Sequence, residues 1–131
     1  MTLEETLAEK LAAFRRRALV RDLYDLAWFS HGALNAELVR RLTYLKVFID
    51  VVEDNLGAGP FDPQHILSQR KQSEFLAEDI GLLTAKVDIS DWLQIIRTRF
   101  DFLSQPTEEE TRWAACNHDD AYSVRRMIED L

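Results

Sequence analysis

The sequence predicts an all-α fold, a compact helical domain of about six helices, from the pattern of apolar repeats. Three observations carry that expectation. Only four Gly and three Pro occur in 131 residues, so the chain has few obligatory turns. Apolar residues recur at steps of three and four in four separate stretches. Several stretches also open on Thr, Asn, Ser or Asp, whose side chains accept the orphan amides of a helix start.

Thr2 and Glu5 have the spacing of a capping box, and Leu3, Leu7, Leu11, Phe14 and Ala18 follow as one helical stripe. Arg15, Arg16 and Arg17 then place cations near the helix C-terminus, where the macrodipole favours them. A second helix is expected from Arg21 to Ser30, with Gly32 as its stop. Asn35 can cap a third, whose stripe is Leu38, Leu42, Leu45, Ile49 and Val52, ending before Gly57. The β-branched run between Val47 and Val52 has strand propensity, but the helical period is longer and cleaner.

Gly57, Gly59, Pro60 and Pro63 make residues 57–63 a loop. It is the one candidate subdomain boundary within a single helical domain over 1–131, dividing 1–56 from 64–131. Residues 64–86 are the least periodic and are read as short helices. Ser90 is the expected cap of a helix bearing Trp92, Ile96, Phe100 and Leu103. Pro106 breaks the chain before a second capping box, Thr107 with Glu110, which precedes Trp113. Asp119 and Asp120 open a last helix with Ala121, Val124, Ile128 and Leu131.

Composition narrows the function classes. Hydrophobic residues at 47% and charged residues at 30% describe a globular chain, and seven Phe, three Trp and three Tyr supply core volume. A net charge of -7 opposes a nucleic-acid footprint over the whole surface while leaving room for a local basic patch. Cys116 is the single cysteine, so no internal disulfide forms and a reducing cytoplasm is the expected compartment. No apolar run reaches the roughly 20 residues of a membrane span, so no membrane partner is expected.

Two carboxylates draw attention. Asp22 and Asp25 share a helix face at i and i+3, where like charges cost a few tenths of a kcal/mol. A solvated acidic face is the plainer reading; a nearby cation or a functional demand is the other. Lys10 lies on the polar side of the first helix, where a solvated lysine is the ordinary reading. On one straight helix it would sit about 18 Å from Asp22 and about 120° around, and nothing at residues 18–20 forces a turn between them. Arg15, Arg16, Arg17 and Arg21 form a basic cluster that suits phosphate oxygens, although capping of the first helix explains it nearly as well. His31, His65 and His118 are scattered, and Cys116 with His118 is too isolated for a zinc site. Asn117, His118, Asp119 and Asp120 look more like a helix start than a cation site. No metal site is expected from these residues. Neither a G-x-S-x-G, a P-loop nor a G-x-G-x-x-G occurs.

The stretch Glu5, Thr6, Leu7, Ala8, Glu9, Lys10, Leu11, followed by Arg21, Asp22, Leu23, Tyr24, Asp25, Leu26, resembles the AbiEii/AbiGii nucleotidyltransferase toxin family in its "AEKL" and "RDLYDL" segments. Residues 45–51, the 57–63 loop, 100–103 and 113–117 are similar to members as well. The specific part of the likeness is confined to residues 5–26. In that family a nucleotidyltransferase core comes first and helices like these follow, so the resemblance implies a C-terminal helical portion. The core's Gly-Ser turn and D-x-D pair bind Mg²⁺ and a nucleoside triphosphate. By resemblance Lys10 meets the phosphates, Asp22 is catalytic or organises the site, and Asp25 belongs beside it. Family toxins transfer nucleotides, in some members to tRNA 3′ ends, and are countered by an antitoxin.

This sequence contains no D-x-D and no Gly-Ser turn. Nucleotidyl transfer needs metal charge against the developing oxyanion. The chain is therefore expected to be one piece of such an enzyme, from a split, late-started or shortened gene, with no cofactor of its own and no activity alone. A separate core chain would complete it. The alternative is a non-catalytic interaction module that binds an antitoxin or self-associates through helices left uncovered.

Overall fold

In a computed structural model of the chain, residues 2–29, 32–71 and 89–129 are described. Helix α1 (Leu3–Arg16) starts at Thr2, whose hydroxyl accepts the amide of Glu5 at 3.1 Å. It ends on Arg17, which is extended at φ -150°. Helix α2 (Val20–Phe29) follows after three non-helical residues. Ala18 thus falls in the corner, outside the helix whose stripe it was expected to extend.

The corner has a physical cause. On one continuous helix the stripe of Leu7, Leu11 and Phe14 and that of Val20, Leu23 and Leu26 would point about 150° apart. All six side chains are buried, in one apolar cluster. Only a break between them lets both stripes meet the same core. The carbonyls freed at the end of α1 are met by Arg70, which donates to Phe14 O and Arg15 O at 2.8 Å and lies over the Phe14 ring.

Helix α3 (Ala36–Phe48) begins at Asn35, whose side chain accepts the Leu38 amide at 3.2 Å. Its last turn widens into a π-helical segment, Ile49–Glu53, closed by Asp54 N donating to Ile49 O at 3.0 Å. The β-branched run is therefore helical. The buried face matches the expected stripe only in part: Leu45 and Val52 are buried as expected, together with Val39, Thr43, Tyr44, Val47 and Phe48, whereas Leu38, Leu42 and Ile49 are half-buried. The reason is position. Helix α3 runs between α1 and a later helix, so it needs apolar surface on more than one side.

Residues 57–63 form the expected loop. Gly57 has φ +88°, a left-handed conformation that glycine adopts without strain. At Gly59 a Cβ would lie 2.5 Å from Cys116 Cβ, so the backbone approaches too closely for any side chain. Phe61 pins the loop: its amide donates to Ala114 O at 2.6 Å and its ring meets Tyr44 edge-on at 4.9 Å. Helix α4 (Gln64–Leu67) is one short helix of the aperiodic stretch, of which 72–86 lies outside the described residues.

Helix α5 (Ile89–Arg99) already includes Ser90, which sits in its first turn and is not its cap. A 3-10 turn (Asp101–Ser104) leads to α6 (Glu108–Ala114), opened by a complete Thr107–Glu110 capping box. Asn117 caps a second 3-10 turn (His118–Asp120), and α7 (Ala121–Glu129) continues from it. The four aspartate-rich residues thus form a helix start. Among the described residues there is no strand, and the architecture is all-α as the sequence predicts.

Candidate functional site: a charged cleft between α1 and α3

An open cleft of about 500 Å³ runs between α1 and the α3–π segment, with α2 at one end. Helix α1 contributes Glu9, Lys10 and Arg16, and Arg17 follows from its extended C-cap. The facing wall supplies Lys46, Asp50 and Asp54, and Asp22 comes from α2. Cations and carboxylates are balanced, and each lining cation is ion-paired. Lys10 Nζ meets Asp25 at 2.7 Å, Arg16 Nε meets Asp50 at 3.3 Å, Arg17 Nε meets Asp22 at 3.0 Å and Lys46 Nζ meets Glu9 at 3.3 Å.

The corner at 17–19 is what assembles this arrangement. It folds α2 back along α1, so that Asp25 reaches Lys10 across fifteen positions of sequence. Asp22 and Asp25 then need not repel each other alone: each has its own cation. Asp22 is buried in the first turn of α2, where a carboxylate also complements the helix dipole. Arg17, half-exposed, clasps it through both Nε and Nη2.

The expected phosphate-contacting arginines part company. Arg16 and Arg17 line the cleft. Arg15 turns the other way, donating to the carbonyls of Ala58 and Pro60 and to His65 Nδ1 at 3.3 Å, with its guanidinium 5.5 Å from the Phe61 ring centre. Burial pulls the Arg15 pKa down, and burial first and Arg15 second hold His65 below its ordinary value. His65 therefore accepts as a neutral ring. A second hollow of about 400 Å³ lies here, bounded by Arg15, Arg16, Gly57 and His65. Arg21 is exposed on α2.

Sequence reasoning missed the facing wall. Asp50 is the chief omission: its side chain is 17% exposed, and burial, countered by Arg16, pushes its carboxyl above the usual range. The signal was a lone acid inside the apolar run between Val47 and Val52, one helical turn after Lys46. Helix α2 also carries exposed aromatics. Trp28 is 62% exposed and stacks on Tyr24 at 6.4 Å, and Tyr24 meets Trp92 edge-on at 5.4 Å. Among the described residues no cluster of three or more His, Cys, Asp or Glu converges as a metal site, and no helix is long and apolar enough to cross a membrane.

The described residues thus form a helical lobe with an open polar cleft lined by paired lysines, arginines and carboxylates. The chain belongs to the AbiEii family of nucleotidyltransferase toxins of type IV toxin–antitoxin systems, which it matches over residues 1–115. Its fold is similar to that of MenT4, a nucleotidyltransferase toxin from Mycobacterium tuberculosis H37Rv, with a TM-score of 0.87 and 42% sequence identity. That likeness covers 94% of this chain and 42% of the MenT4 chain, so the chain spans less than half of its relative. A comparison with curated proteins found no match.

Proposed function

We propose that this chain is the helical C-terminal part of a toxin nucleotidyltransferase and supplies one wall of its active site, residues 1–131 acting as one helical domain. Lys10 contacts the phosphates of a nucleoside triphosphate. Asp25 fixes the lysine's position, and Asp22 organises the α1–α2 corner while presenting a carboxylate to the reaction centre. Arg16 and Arg17 add phosphate contacts beside it, and the exposed Arg21 extends the basic surface towards the acceptor, while Arg15 holds the 57–63 loop. The observation that supports this reading best is the single cleft shared by Lys10, Asp22, Arg16 and Arg17. Those side chains fit a polyphosphate, since lysine and arginine are its natural ligands.

The same residues do not fit Mg²⁺. The cleft carboxylates face cations across short gaps instead of converging on one point. Metal binding is assigned to a nucleotidyltransferase core, and this chain alone is inactive. A tRNA end is the proposed acceptor of the completed enzyme, and an antitoxin its partner in the cell.

Supplied alone with Mg²⁺, nucleoside triphosphates and total tRNA, the chain should transfer nothing; co-expressed with a matching core, it should restore transfer. Lys10→Ala and Asp22→Asn should then each remove most of the activity. Restored transfer that ignored both substitutions would overturn the site assignment, and transfer by the isolated chain would overturn the dependence on a core. A second reading, an interaction module that binds an antitoxin or self-associates, draws on the exposed Tyr24, Trp28 and Phe29 of α2. Sedimentation of the isolated chain as a monomer at high concentration would count against self-association.

A further inference from the structure

The wall opposite Lys10 is made where α3 becomes a π turn. The i→i+5 bonding of that turn widens the helix, a local irregularity often found at functional sites. Asp50 lines the cleft from it, and so does Asp54, the residue that closes it. Arg16 stands directly across, and it is the side chain shared by the cleft and the second hollow beyond the loop. Its Nε is held by Asp50 at 3.3 Å, in a pair whose two side chains are 29% and 17% exposed. Arg16 is thus the best-placed cation for a ligand reaching from one hollow into the other, and its charge is already taken.

We propose that Asp50 is the specificity-determining residue of the cleft: it occupies Arg16 in place of a phosphate oxygen, so that a chain of adjacent phosphates displaces it and a single phosphate does not. This rests on the reading of the cleft as a phosphate site.

The argument is one of exchange. Every lining cation has a carboxylate partner, so an incoming anion gains only what it offers beyond the carboxylate it replaces. One phosphate group replaces one carboxylate with a similar charge-assisted contact, for little net gain. A triphosphate spans several cations as one ligand, and its second and third contacts carry no further cost in translational freedom. Asp50 also resists being a mere scaffold pair. Burial raises its pKa despite Arg16, with Asp54 adding to the rise and Lys46 and Arg15 opposing it, so the ionised carboxylate is held beside Arg16 at a cost in desolvation. Glu9, half-exposed against Lys46, is a looser partner and is displaced more readily.

The test is calorimetric titration of the whole chain with inorganic tripolyphosphate and with orthophosphate. Tripolyphosphate should bind the wild-type chain at least about tenfold more tightly than orthophosphate. Asp50→Asn should free Arg16 and narrow that ratio by about fivefold, chiefly by strengthening orthophosphate binding. Arg16→Gln should weaken tripolyphosphate. A ratio unchanged by Asp50→Asn, or weaker binding of both anions, would overturn the proposal. A measurement on the wild-type chain covers the case of a misfolded variant: the Asp50 carboxyl ¹³C resonance should move on saturation with tripolyphosphate and stay in place with orthophosphate. An unmoved resonance at saturation would likewise overturn it. The underlying phosphate-site reading fails separately, if Lys10→Ala leaves tripolyphosphate binding untouched. If Lys10 and Arg16 both matter while the ratio ignores Asp50, only the role of Asp50 falls.

Discussion

Two sets of ion pairs flank α3, and they are built differently. On the side facing α6, Arg40 Nε meets Glu110, whose side chain is 1% exposed, and Arg41 lies over the Trp113 ring at 4.8 Å. Glu110 also closes the capping box with Thr107, so a single carboxylate joins two helices and starts one of them. On the side facing α1, the pairs line an open cleft and their side chains keep between 6% and 53% of their surface in water. In the first set the Arg40–Glu110 pair is largely out of water and joins the two helices, while Arg41 stays partly exposed beside it. The second can change partners without taking the fold apart.

The comparison breaks most readily at Glu110. Glu110→Ala should cost about 3 kcal/mol, because it strands Arg40, whose side chain is mostly out of water, and removes a cap at once. Urea denaturation would show it as a lowered midpoint with an unchanged slope. A loss below about 1 kcal/mol, the worth of an exposed pair, would mean that the two sides of α3 are alike.

Lys10→Ala sharpens the contrast from the other side. It should lower transfer by the reconstituted enzyme by about 10- to 100-fold, the equivalent of a charge-assisted contact of roughly 1.5–3 kcal/mol. Stability should fall far less, since the Lys10–Asp25 pair is partly exposed. A variant that unfolds before it loses activity would place Lys10 with the structural set.

Asp50 gives a subtler effect, read in its pH dependence. Its folded pKa lies above the ordinary 3.8, so the folded state holds this proton more tightly than the unfolded one. Whatever the protonated carboxyl contributes to stability is therefore complete below about pH 4 and is lost as pH rises through the folded pKa. The stability of the wild-type chain relative to Asp50→Asn should decline over that window, and at neutral pH the variant should be at least as stable. A relative stability that rises with pH would show that Arg16 outweighs burial. The smallest effect is expected at Glu4, whose Oε1 accepts the Asn35 amide at 3.3 Å. Glu4→Gln keeps an acceptor there and should stay within about 0.5 kcal/mol, as thermal melting would show.

Much of the scaffold was legible because its signals are local. Asn35 and the pair Thr107–Glu110 each act within three residues, and both caps stand where the sequence puts them. The recognisable "AEKL" and "RDLYDL" segments likewise lead to the right family. What escaped depends on distant partners. The break at 17–19 has no Gly or Pro to announce it, and it follows from the direction in which two stripes must point. The central position of α3 rotates its buried face away from Leu38 and Leu42, towards neighbours that no periodicity names. Arg70, which caps α1 from more than fifty residues away, carries no sequence signature at all.

The cleft's charges were only half readable for the same reason. Lys10, Asp22 and Asp25 sit in motif-like runs, whereas Asp50 looks like an intrusion into an apolar stretch until Arg16 is seen across from it. Arg15 shows the converse. It shares a run with Arg16 and Arg17, yet the turn of the helix sends it to the 57–63 loop, where its donors serve carbonyls.

The π turn at Ile49–Glu53 finally sets a rule for insertions and deletions in this chain. A helix bonded i→i+5 holds one residue more than the same span bonded i→i+4. Deleting a single residue there would let the helix close as an ordinary one and leave what lies beyond it nearly unmoved, because four residues of α-helix turn the chain about as far as five of π-helix. A deletion in α3 itself has no such slack: it would rotate everything beyond it by about 100°, taking Asp54 from the cleft and Gly57 and Gly59 from their places beside Arg15 and Cys116. The π turn is where this helix can lose a residue and keep its phase.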